Sequence, residues 1–359
     1  MPAFVYTSQP QRVLFGWGYA QQHLAEEFIR LDAKSIMIVA SGRDMVRSRQ
    51  LTPGPEIRLR WDDIAPHVPR QNVTTATAAA IEHEIDLIVS IGGGSSTGLA
   101  KAIALETCTT IIAVPTTYAG SEATPMWGIT DSERKSTGTD INVLPATIVY
   151  DPKLTLSLPV DTSMVSGLNA LAHCVDSMWS PNVNPIADAL AAEGIHLLNQ
   201  ALPDIKQSLG KSRSGRESAM LGSYLSATAF SSAGSGLHHK ICHLLGGTYG
   251  LPHASTHAVV LPYVLALLGP AVPEAETRIA AALKAASALE GLESLRSEIG
   301  APRNLREIGF SKSDIERAAN EIACLIPAVT PRPVSVSDLT TLLSHAWSGK
   351  PPTAKAFLQ

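Results

Sequence analysis

Clustered positive charge is missing from this chain. Its 28 lysines and arginines face 32 aspartates and glutamates, and the formal net charge is −4 at pH 7. The basic residues are scattered along the sequence and form no block. Because nucleic acids and anionic membranes attract proteins mainly through clustered Lys and Arg, the composition argues against both as partners and leaves a small molecule as the expected one.

Cysteine is scarce, and the four cysteines lie far apart without a Cys-x-x-Cys motif, at Cys108, Cys174, Cys242 and Cys324. This spacing argues against a disulfide framework and predicts buried, free thiols in a reducing compartment. The chain also lacks an apolar run long enough to span a membrane and a signal-peptide core near its start. The sequence therefore predicts a soluble, cytoplasmic protein.

Two kinds of periodicity divide the chain, whose 359 residues favour two domains over one. In the first part, apolar runs of buried-strand type such as SIMIVA and DLIVSI alternate with helix-like segments. In the second part, Ala- and Leu-rich helical periods dominate. The pattern predicts an α/β domain with a parallel sheet over 1–153 and an all-helical domain over 154–359.

A glycine-rich loop connects a strand-like run directly to a helix-like segment in DLIVSIGGGSSTGLAKAIAL. Glycines let the backbone approach a phosphate closely, and the helix N-terminus offers unpaired N–H groups and a favourable dipole. The loop departs from the G-x-G-x-x-G fingerprint, because Thr97 occupies the place of its last glycine, and it has no P-loop lysine. A plain tight turn between strand and helix is the alternative.

A second loop, PTTYAGSEAT over 115–124, leaves the next strand with many hydroxyls. Hydroxyls beside a glycine-rich loop suit the phosphate and amide groups of a nucleotide, although an ordinary polar loop would look the same. Dinucleotide folds commonly place an acidic residue at a strand end to bind the ribose hydroxyls. Here Ser41 follows SIMIVA, and Arg43 could attract a 2′-phosphate, so we expect tolerance of both NADH and NADPH.

Five of the eleven histidines fall between residues 238 and 257. His239 and His243 are four residues apart, as are His253 and His257, and this spacing puts two imidazoles on one face of a helix. Imidazole serves both metal ligation and proton transfer near neutral pH. The spacing alone leaves open which of the two tasks this cluster performs.

These segments occur in the order typical of one enzyme group. GGGS, the PTT…GSE loop, ITDSERK, ATIVYDP, GLNALAHCVDS, NPIADAL and GLHHKICHLLGGTYGLPHA together resemble the iron-containing alcohol dehydrogenase superfamily, which has a dehydroquinate synthase-like fold. Within it, GGGSSTGLAKAIA, GLNALAH and PRPV at 331–334 are most similar to the maleylacetate reductases.

The resemblance implies an NAD(P)H-dependent oxidoreductase that reduces the C=C bond of maleylacetate to 3-oxoadipate in the degradation of aromatic compounds. It also implies a homodimer with an N-terminal NAD(P)-binding domain and a helical domain for substrate and catalysis. Together with Ser41, the residues expected to contact the cofactor are Gly93, Gly94, Ser95, Thr116, Thr117, Thr124, Lys135 and Leu154.

Metal-dependent members of the superfamily hold a divalent ion with one aspartate and three histidines. The resemblance matches three of these ligands to Asp188, His239 and His253, and it matches the remaining one to Ala191. Alanine cannot coordinate, so we expect a reaction without a metal. The alternative is an iron- or zinc-dependent alcohol dehydrogenase or aldehyde reductase, because three protein ligands plus water do form catalytic zinc sites.

Without a metal, the histidines need another role. We expect His239, His243 and His253 to stabilise the enolate and supply the proton, with His243 as the acid. His238 and His257 are expected to be structural. A nucleotide-binding sensor without turnover is a further alternative, and a dehydroquinate-synthase chemistry is disfavoured because that chemistry depends on a metal.

The substrate carries two carboxylates, which need donor or cationic partners. Asn169 and His173 share a helix face at i, i+4 and could both donate to one carboxylate. A buried polar pair that bridges helices is equally consistent with this spacing. Arg332, between two prolines, could bind a carboxylate with both ends of its guanidinium, or it could form an ordinary surface salt bridge.

Overall fold

The computed structural model describes residues 3–54, 56–131 and 134–357, and it leaves the side chains of residues 134 and 135 undescribed. The chain forms two compact units, one over Ser8–Leu158 and one over Pro159–Gln359 together with Met1–Thr7. A boundary after residue 153 would cut the short 3-10 helix Pro152–Ser157, which lies at the end of the first unit. The α/β character of the first part and the helical character of the second are confirmed.

The first unit is built on a sheet of six parallel strands. The strands and the helices between them are β1 Arg12–Phe15, α1 Ala20–Arg30, β2 Ile36–Val39, α2 Gly42–Leu51, β3 Ile57–Trp61, α3 Arg70–Glu82, β4 Leu87–Gly92, α4 Gly94–Thr107, β5 Thr110–Pro115 and β8 Thr147–Tyr150. Their order across the sheet is β1-β8-β5-β4-β2-β3. A separate antiparallel hairpin consists of β6 Met126–Asp131 and β7 Arg134–Thr139.

Helices cover both faces of this sheet, which is why β2 and β4 are buried along their whole length and are apolar apart from Ser90 and Gly92. Met37 and Val39 of β2 pack with residues of α3 and α4, whereas Ile36 and Ile38 pack with residues of α1 and α2. The helices that follow the neighbouring strands β2 and β4 therefore lie on opposite faces. In such sheets a ligand crevice opens between the carboxyl ends of the two strands.

The second unit is helical throughout its described part. Its helices are α5 Val160–Ser177, α6 Pro185–Gln207, α7 Arg213–Ala233, α8 Leu237–Tyr249, α9 His253–Leu268, α10 Pro273–Leu283, α11 Ala288–Ile299, α12 Ile315–Ala323 and α13 Val336–Ser348. Helix α9 packs against α5, α8, α11 and α13. The segment His253–Ala271 is long and apolar enough to cross a membrane by composition, but 78% of it is buried within the fold, as expected of a core helix.

The four cysteines are free, but only two of them are buried. Cys174 and Cys242 are buried as predicted, whereas the prediction is wrong for Cys108 and Cys324, which are exposed. Both exposed cysteines cap the C-termini of helices, Cys108 at the end of α4 in the left-handed conformation and Cys324 at the end of α12. Residues at helix ends face solvent more readily than residues at the centre of an apolar face.

Helices α6 and α7 approach closely because each has a glycine where they meet. A Cβ on Gly194 would lie 2.7 Å from Cys174 Sγ and 3.3 Å from the carbonyl oxygen of Gly222. A Cβ on Gly222 would in turn lie 3.3 Å from the carbonyl oxygen of Gly194. A side chain at position 194 would therefore collide with Cys174 of α5 and crowd the backbone of α7.

We predict that Gly194→Ala lowers the free energy of unfolding by about 1–3 kcal/mol, because the added methyl overpacks this contact. The measurement is the urea midpoint at constant m-value. Gly247→Ala on α8 is the matched control, since a Cβ there meets no heavy atom within 4 Å. We expect the control to be neutral or slightly stabilising. Equal effects of the two substitutions would contradict the close approach of α6 and α7.

Candidate functional site

The predicted cofactor residues of the first unit gather along one edge of the sheet. Parallel strands end at the same edge, and Ser41, Gly93, Thr116 and Leu154 each follow the end of one of the strands β2, β4, β5 and β8. These four strands are neighbours in the sheet. The edge is also the one at which the crevice between β2 and β4 opens, so the structure brings these residues together.

The glycine-rich loop has a backbone that requires glycine. Gly92 has φ +149°, and a Cβ there would lie 2.4 Å from Ser96 Oγ. A Cβ on Gly93 would lie 3.0 Å from Thr117 Cγ2, which shows how tightly the two predicted loops pack. Helix α4 begins at Gly94 without a side-chain cap, so the N–H groups of its first turn remain available to an anion.

An acidic group stands at this edge even though position 41 is a serine. Asp44, in the first turn of α2, accepts a hydrogen bond from Thr116 Oγ1 at 3.0 Å and pairs with Arg47 at 2.8 Å. Burial raises the pKa of Asp44, while Thr116 and the nearby arginines oppose that shift. Arg43 donates to the carbonyl oxygen of Ser157 within the same unit.

Lys101 is a residue of this region that the sequence analysis missed. It lies on α4, is fully buried, and its Nζ donates to the carbonyl oxygens of Ser121, Thr124 and Met126 at 2.6, 2.6 and 2.8 Å. Burial lowers the pKa of Lys101 to about 7, opposed by the buried carboxyl of Glu122. The signal in the sequence was a lysine in the apolar stretch GLAKAIAL.

Two further cofactor candidates are Thr124, at the end of the hydroxyl-rich loop, and Lys135 on the hairpin that follows it. Thr124 is held by Lys101, which contacts both its carbonyl oxygen and its hydroxyl. Lys135 lies on β7, where its backbone pairs with Thr130. The side chain of Lys135 is outside the described part of the structure, and its predicted cofactor contact stays a prediction.

In the second unit, the predicted catalytic histidines form one cluster. Helices α5, α8 and α9 pack against one another and place their imidazoles in ring contact. His239 stacks on His173 with ring centroids 5.0 Å apart, and it lies 4.9 Å from His257. His253 lies 4.5 Å from His257 and stacks on His243 at 5.9 Å. Sequence positions more than 60 residues apart are thus brought to one place.

The carboxylate of Asp176, also missed from the sequence, orients this cluster. It accepts hydrogen bonds from His239 Nδ1 at 2.7 Å, from the backbone N–H of Gly236 at 2.8 Å and from Trp179 Nε1 at 3.0 Å. With its proton on Nδ1, the neutral His239 ring presents a lone pair on Nε2. That atom is buried and has no hydrogen-bond partner among the described residues.

Burial divides the histidines into two sets. His243 and His253 are exposed, whereas His173, His238, His239 and His257 are buried. Burial lowers the pKa of His173, His239 and His257 well below the ordinary value of 6.5. It lowers the pKa of His238 to about 3. The buried rings are therefore neutral at pH 7, and a proton donor is better sought at the exposed positions.

Asn169 and His173 lie on α5 and both face the interior. The amide oxygen of Asn169 and Nδ1 of His173 are buried and find no partner within the described ranges. A pair that merely bridges helices would have satisfied these atoms. The observation favours the reading in which they meet a ligand, and their substrate contact stays a prediction.

Arg332 is engaged within its own C-terminal segment. Its Nη2 lies 3.3 Å from Asp338 Oδ1, and its Nη1 donates to the carbonyl oxygen of Phe357 at 3.3 Å. Asp338 also forms the capping box at the N-terminus of α13 with Ser335. A contact between Arg332 and a substrate carboxylate would have to compete with these bonds.

The residues matched to a metal site do not form the complete ligand set. Asp188 on α6 pairs with Arg278 of α10, with Oδ2 and Nη1 3.0 Å apart. Ala191 is three residues beyond Asp188 and fully buried, and the residue four beyond is Ala192, so either register supplies an alanine. A guanidinium thus pairs with one oxygen of the only carboxylate of the set, while its Oδ1 is buried without a partner among the described residues. The set therefore lacks one of the family's four ligands.

Comparison with known proteins places the whole chain in one family. A family model described as iron-containing alcohol dehydrogenase matches residues 10–152, and the C-terminal model of the Fe-containing alcohol dehydrogenase family matches 163–347. The chain is 40% identical to the maleylacetate reductase of Delftia acidovorans over 352 residues, which cover 97% of this chain and 99% of the relative.

Solved structures are similar over nearly the whole chain. A protein named iron-containing alcohol dehydrogenase from Corynebacterium glutamicum is 49% identical, with a TM-score of 0.96 and 99% of each chain covered. A maleylacetate reductase from Agrobacterium tumefaciens is 38% identical, with a TM-score of 0.93, covering 98% of this chain and all of the other.

We predict that Lys101→Met lowers the free energy of unfolding by about 1–3 kcal/mol, because three carbonyl oxygens around the buried Lys101 lose their donor. It should also weaken NADH binding, since the loop that Lys101 holds carries Thr117 and Thr124. Urea unfolding and a fluorescence titration with NADH measure the two effects. The exposed Lys34→Met is the control and should change neither. Unchanged NADH affinity in Lys101→Met would contradict the role assigned to this lysine.

We predict that the chelator-treated protein becomes less stable as the pH falls below the ordinary histidine value of about 6.5. The histidines of the unfolded chain then bind protons, whereas the buried rings of the folded chain stay neutral. The free energy of unfolding therefore falls by about 1.4 kcal/mol per pH unit for each ring. Urea unfolding at several pH values measures the slope. His238→Gln should make the slope shallower by one proton, and a slope identical to that of the unsubstituted protein would contradict the neutral state of His238.

Proposed function

Because the chain belongs to the iron-containing alcohol dehydrogenase family, we propose that it is a maleylacetate reductase, an oxidoreductase that reduces the C=C bond of maleylacetate with NADH or NADPH to give 3-oxoadipate. The observation that carries the proposal is the cluster of imidazoles on α5, α8 and α9 beside an incomplete metal-ligand set. Such a cluster suits an anionic substrate that forms an enolate.

The cofactor site of the proposal is the edge of the sheet in the first unit. The N–H groups at the start of α4 and the hydroxyls of Thr116 and Thr117 suit the pyrophosphate of a dinucleotide. Near the ribose, the carboxylate of Asp44 favours free hydroxyls, whereas Ser41 and Arg43 tolerate a 2′-phosphate. These opposing features support use of both NADH and NADPH.

Reduction of the C=C bond requires a hydride donor, stabilisation of the negative charge that develops on the ketone oxygen, and one proton. Hydride from the nicotinamide adds to the alkene carbon farther from the ketone, and the electron pair of the C=C bond moves toward the ketone to give an enolate. The enolate then takes one proton at the neighbouring carbon, so that NAD(P)H and one proton are consumed in each turnover. An imidazolium is well suited to supply this proton and to stabilise the oxyanion.

The proposal divides these tasks by burial and tautomer. His243 and His253 are exposed, and we assign the proton to His243 and charge stabilisation to His253. Asp176 fixes His239 with Nδ1 as the hydrogen-bond donor. Nε2 of His239 is then left as an acceptor for a donor group that binds in the site. Asn169 and His173 are assigned to a substrate carboxylate, because each has a buried polar atom without a partner among the described residues and His173 stacks on His239.

A reaction without a metal is part of the proposal. A simple carbonyl gains from polarisation by a Lewis acid, but an alkene conjugated with a ketone is electrophilic already. The pairing of Asp188 with Arg278 and the alanine beyond Asp188 support this part. The second candidate is a metal-dependent alcohol dehydrogenase or aldehyde reductase. One observation favours it, since a histidine that is backed by a carboxylate and has a free Nε2 is typical of metal ligands.

The direct test is NADH oxidation with maleylacetate, repeated for His243→Ala. We expect the variant to lose about 100-fold or more in kcat, the usual contribution of a general acid. His83→Ala, an exposed histidine of the first unit, is the control and should keep full turnover. Near-normal turnover of His243→Ala would overturn the assignment of the acid, and oxidation of neither NADH nor NADPH by the unsubstituted enzyme would overturn the proposed function.

A further inference from the structure

A second group of metal-binding residues lies beside the candidate active site and takes no part in the proposed reaction. It consists of His238 and Cys242 on α8 and His257 on α9, all of them fully buried. One ligand atom from each residue, either a ring nitrogen or Sγ, lies within 4.8 Å of the other two. The His238 ring makes an edge contact with the ring of His239, with an angle of 87° between the ring planes.

Hydrogen bonding alone does not satisfy this group. Nε2 of His238 lies 2.9 Å from Nδ1 of His257 and 3.6 Å from Sγ of Cys242. A neutral ring nitrogen carries either a proton or one lone pair. Nε2 of His238 therefore cannot donate fully to His257 and accept fully from Cys242 at the same time. A cation at the centre would use a lone pair of all three atoms.

We propose that His238, Cys242 and His257 form a buried structural site for a thiophilic divalent cation, with zinc as the best match. Two imidazoles and one thiolate are ligands that zinc prefers over harder ions. Zinc binds nitrogen at about 2.0–2.1 Å and sulfur at about 2.3 Å, so the two nitrogens must separate to roughly 3.4 Å. Small rotations of the two rings provide that change.

The charge of the site balances without exposing it to water. Zinc displaces the proton of the Cys242 thiol, the proton leaves to solvent, and the thiolate cancels one of the two positive charges. The carboxylate of Asp176 cancels the other, because it is fully buried and is bonded to His239, the neighbour of His238 in the chain. Its three hydrogen-bond donors are all N–H groups of neutral partners. A neutral set avoids most of the cost of burying an ion.

The ion would join α8 to α9 directly behind the catalytic cluster. Helix α8 carries His239 and His243, and α9 carries His253. A bond from the ion to each helix fixes the distance between them and thereby holds the imidazoles in place. The role of the site is therefore structural, since its three protein ligands are fully buried and the fourth position of a tetrahedral ion is left to a small ligand such as a buried water.

Cobalt(II) is the probe, because a cobalt–thiolate bond gives a charge-transfer band in the near ultraviolet. The full chain is produced in cobalt-containing medium, so that the ion can enter before the helices close. We expect one cobalt per chain, the thiolate band, and a sulfur neighbour at about 2.3 Å by X-ray absorption. Cys242→Ser should lose the band, whereas Cys174→Ser, which removes a buried thiol bonded to Ser226, should keep it.

Two further variants separate this site from the family's metal position. Asp188→Asn and His253→Ala should both keep the thiolate band, because neither residue belongs to the proposed set. Cobalt bound without the band, a band that survives in Cys242→Ser, or a band lost in Asp188→Asn would overturn the proposal. If Cys242→Ser does not fold, X-ray absorption of the zinc-loaded original chain decides, and a shell without sulfur overturns it.

Discussion

The buried carboxylate of Asp176 is the interaction on which the helical unit's site depends. One of its oxygens accepts hydrogen bonds from both His239 and the N–H of Gly236 where α8 begins, and the other accepts from Trp179. Gly236 has to be glycine, because a Cβ there would lie 2.4 Å from Asp176 Oδ1. The carboxylate therefore sets the start of α8, the tautomer of His239 and the direction of its free nitrogen. An ionised carboxylate is costly to bury unless several donors surround it, and here these donors are also the groups that define the site.

The first unit uses a buried charge in a comparable way. Lys101 binds three carbonyl oxygens of the loop that follows β5, and this holds the hydroxyls of the loop next to the glycine-rich turn. In both units an ionisable side chain on a helix, Lys101 or Asp176, forms hydrogen bonds with several groups of a neighbouring segment. In each unit this buried side chain holds the backbone of the segment that carries the candidate ligand-binding residues.

Local patterns in the sequence were sufficient for the architecture, but not for the long-range partners that support each site. The apolar runs of β2, β4 and β5 and the strand–glycine–helix transition could be predicted because they depend on neighbours in the chain. Strand β3, IRLRW, was missed because it lies at the edge of the sheet and alternates with charge. The bonds of Asp176 to His239 and of Asp188 to Arg278 span 63 and 90 residues, and no spacing rule encodes such pairs.

The central claim is that the histidine cluster transfers protons and stabilises an enolate, whereas the family's metal position, compromised by Arg278 and an alanine, is not used for turnover. The most direct measurement is maleylacetate-dependent NADH oxidation before and after exhaustive chelation, with the metal content determined at each step. The account predicts that adding or removing iron leaves turnover unchanged, and that any turnover lost by stripping zinc from the buried site of His238, Cys242 and His257 returns with zinc and not with iron. Turnover that is lost on chelation and restored by iron would contradict it.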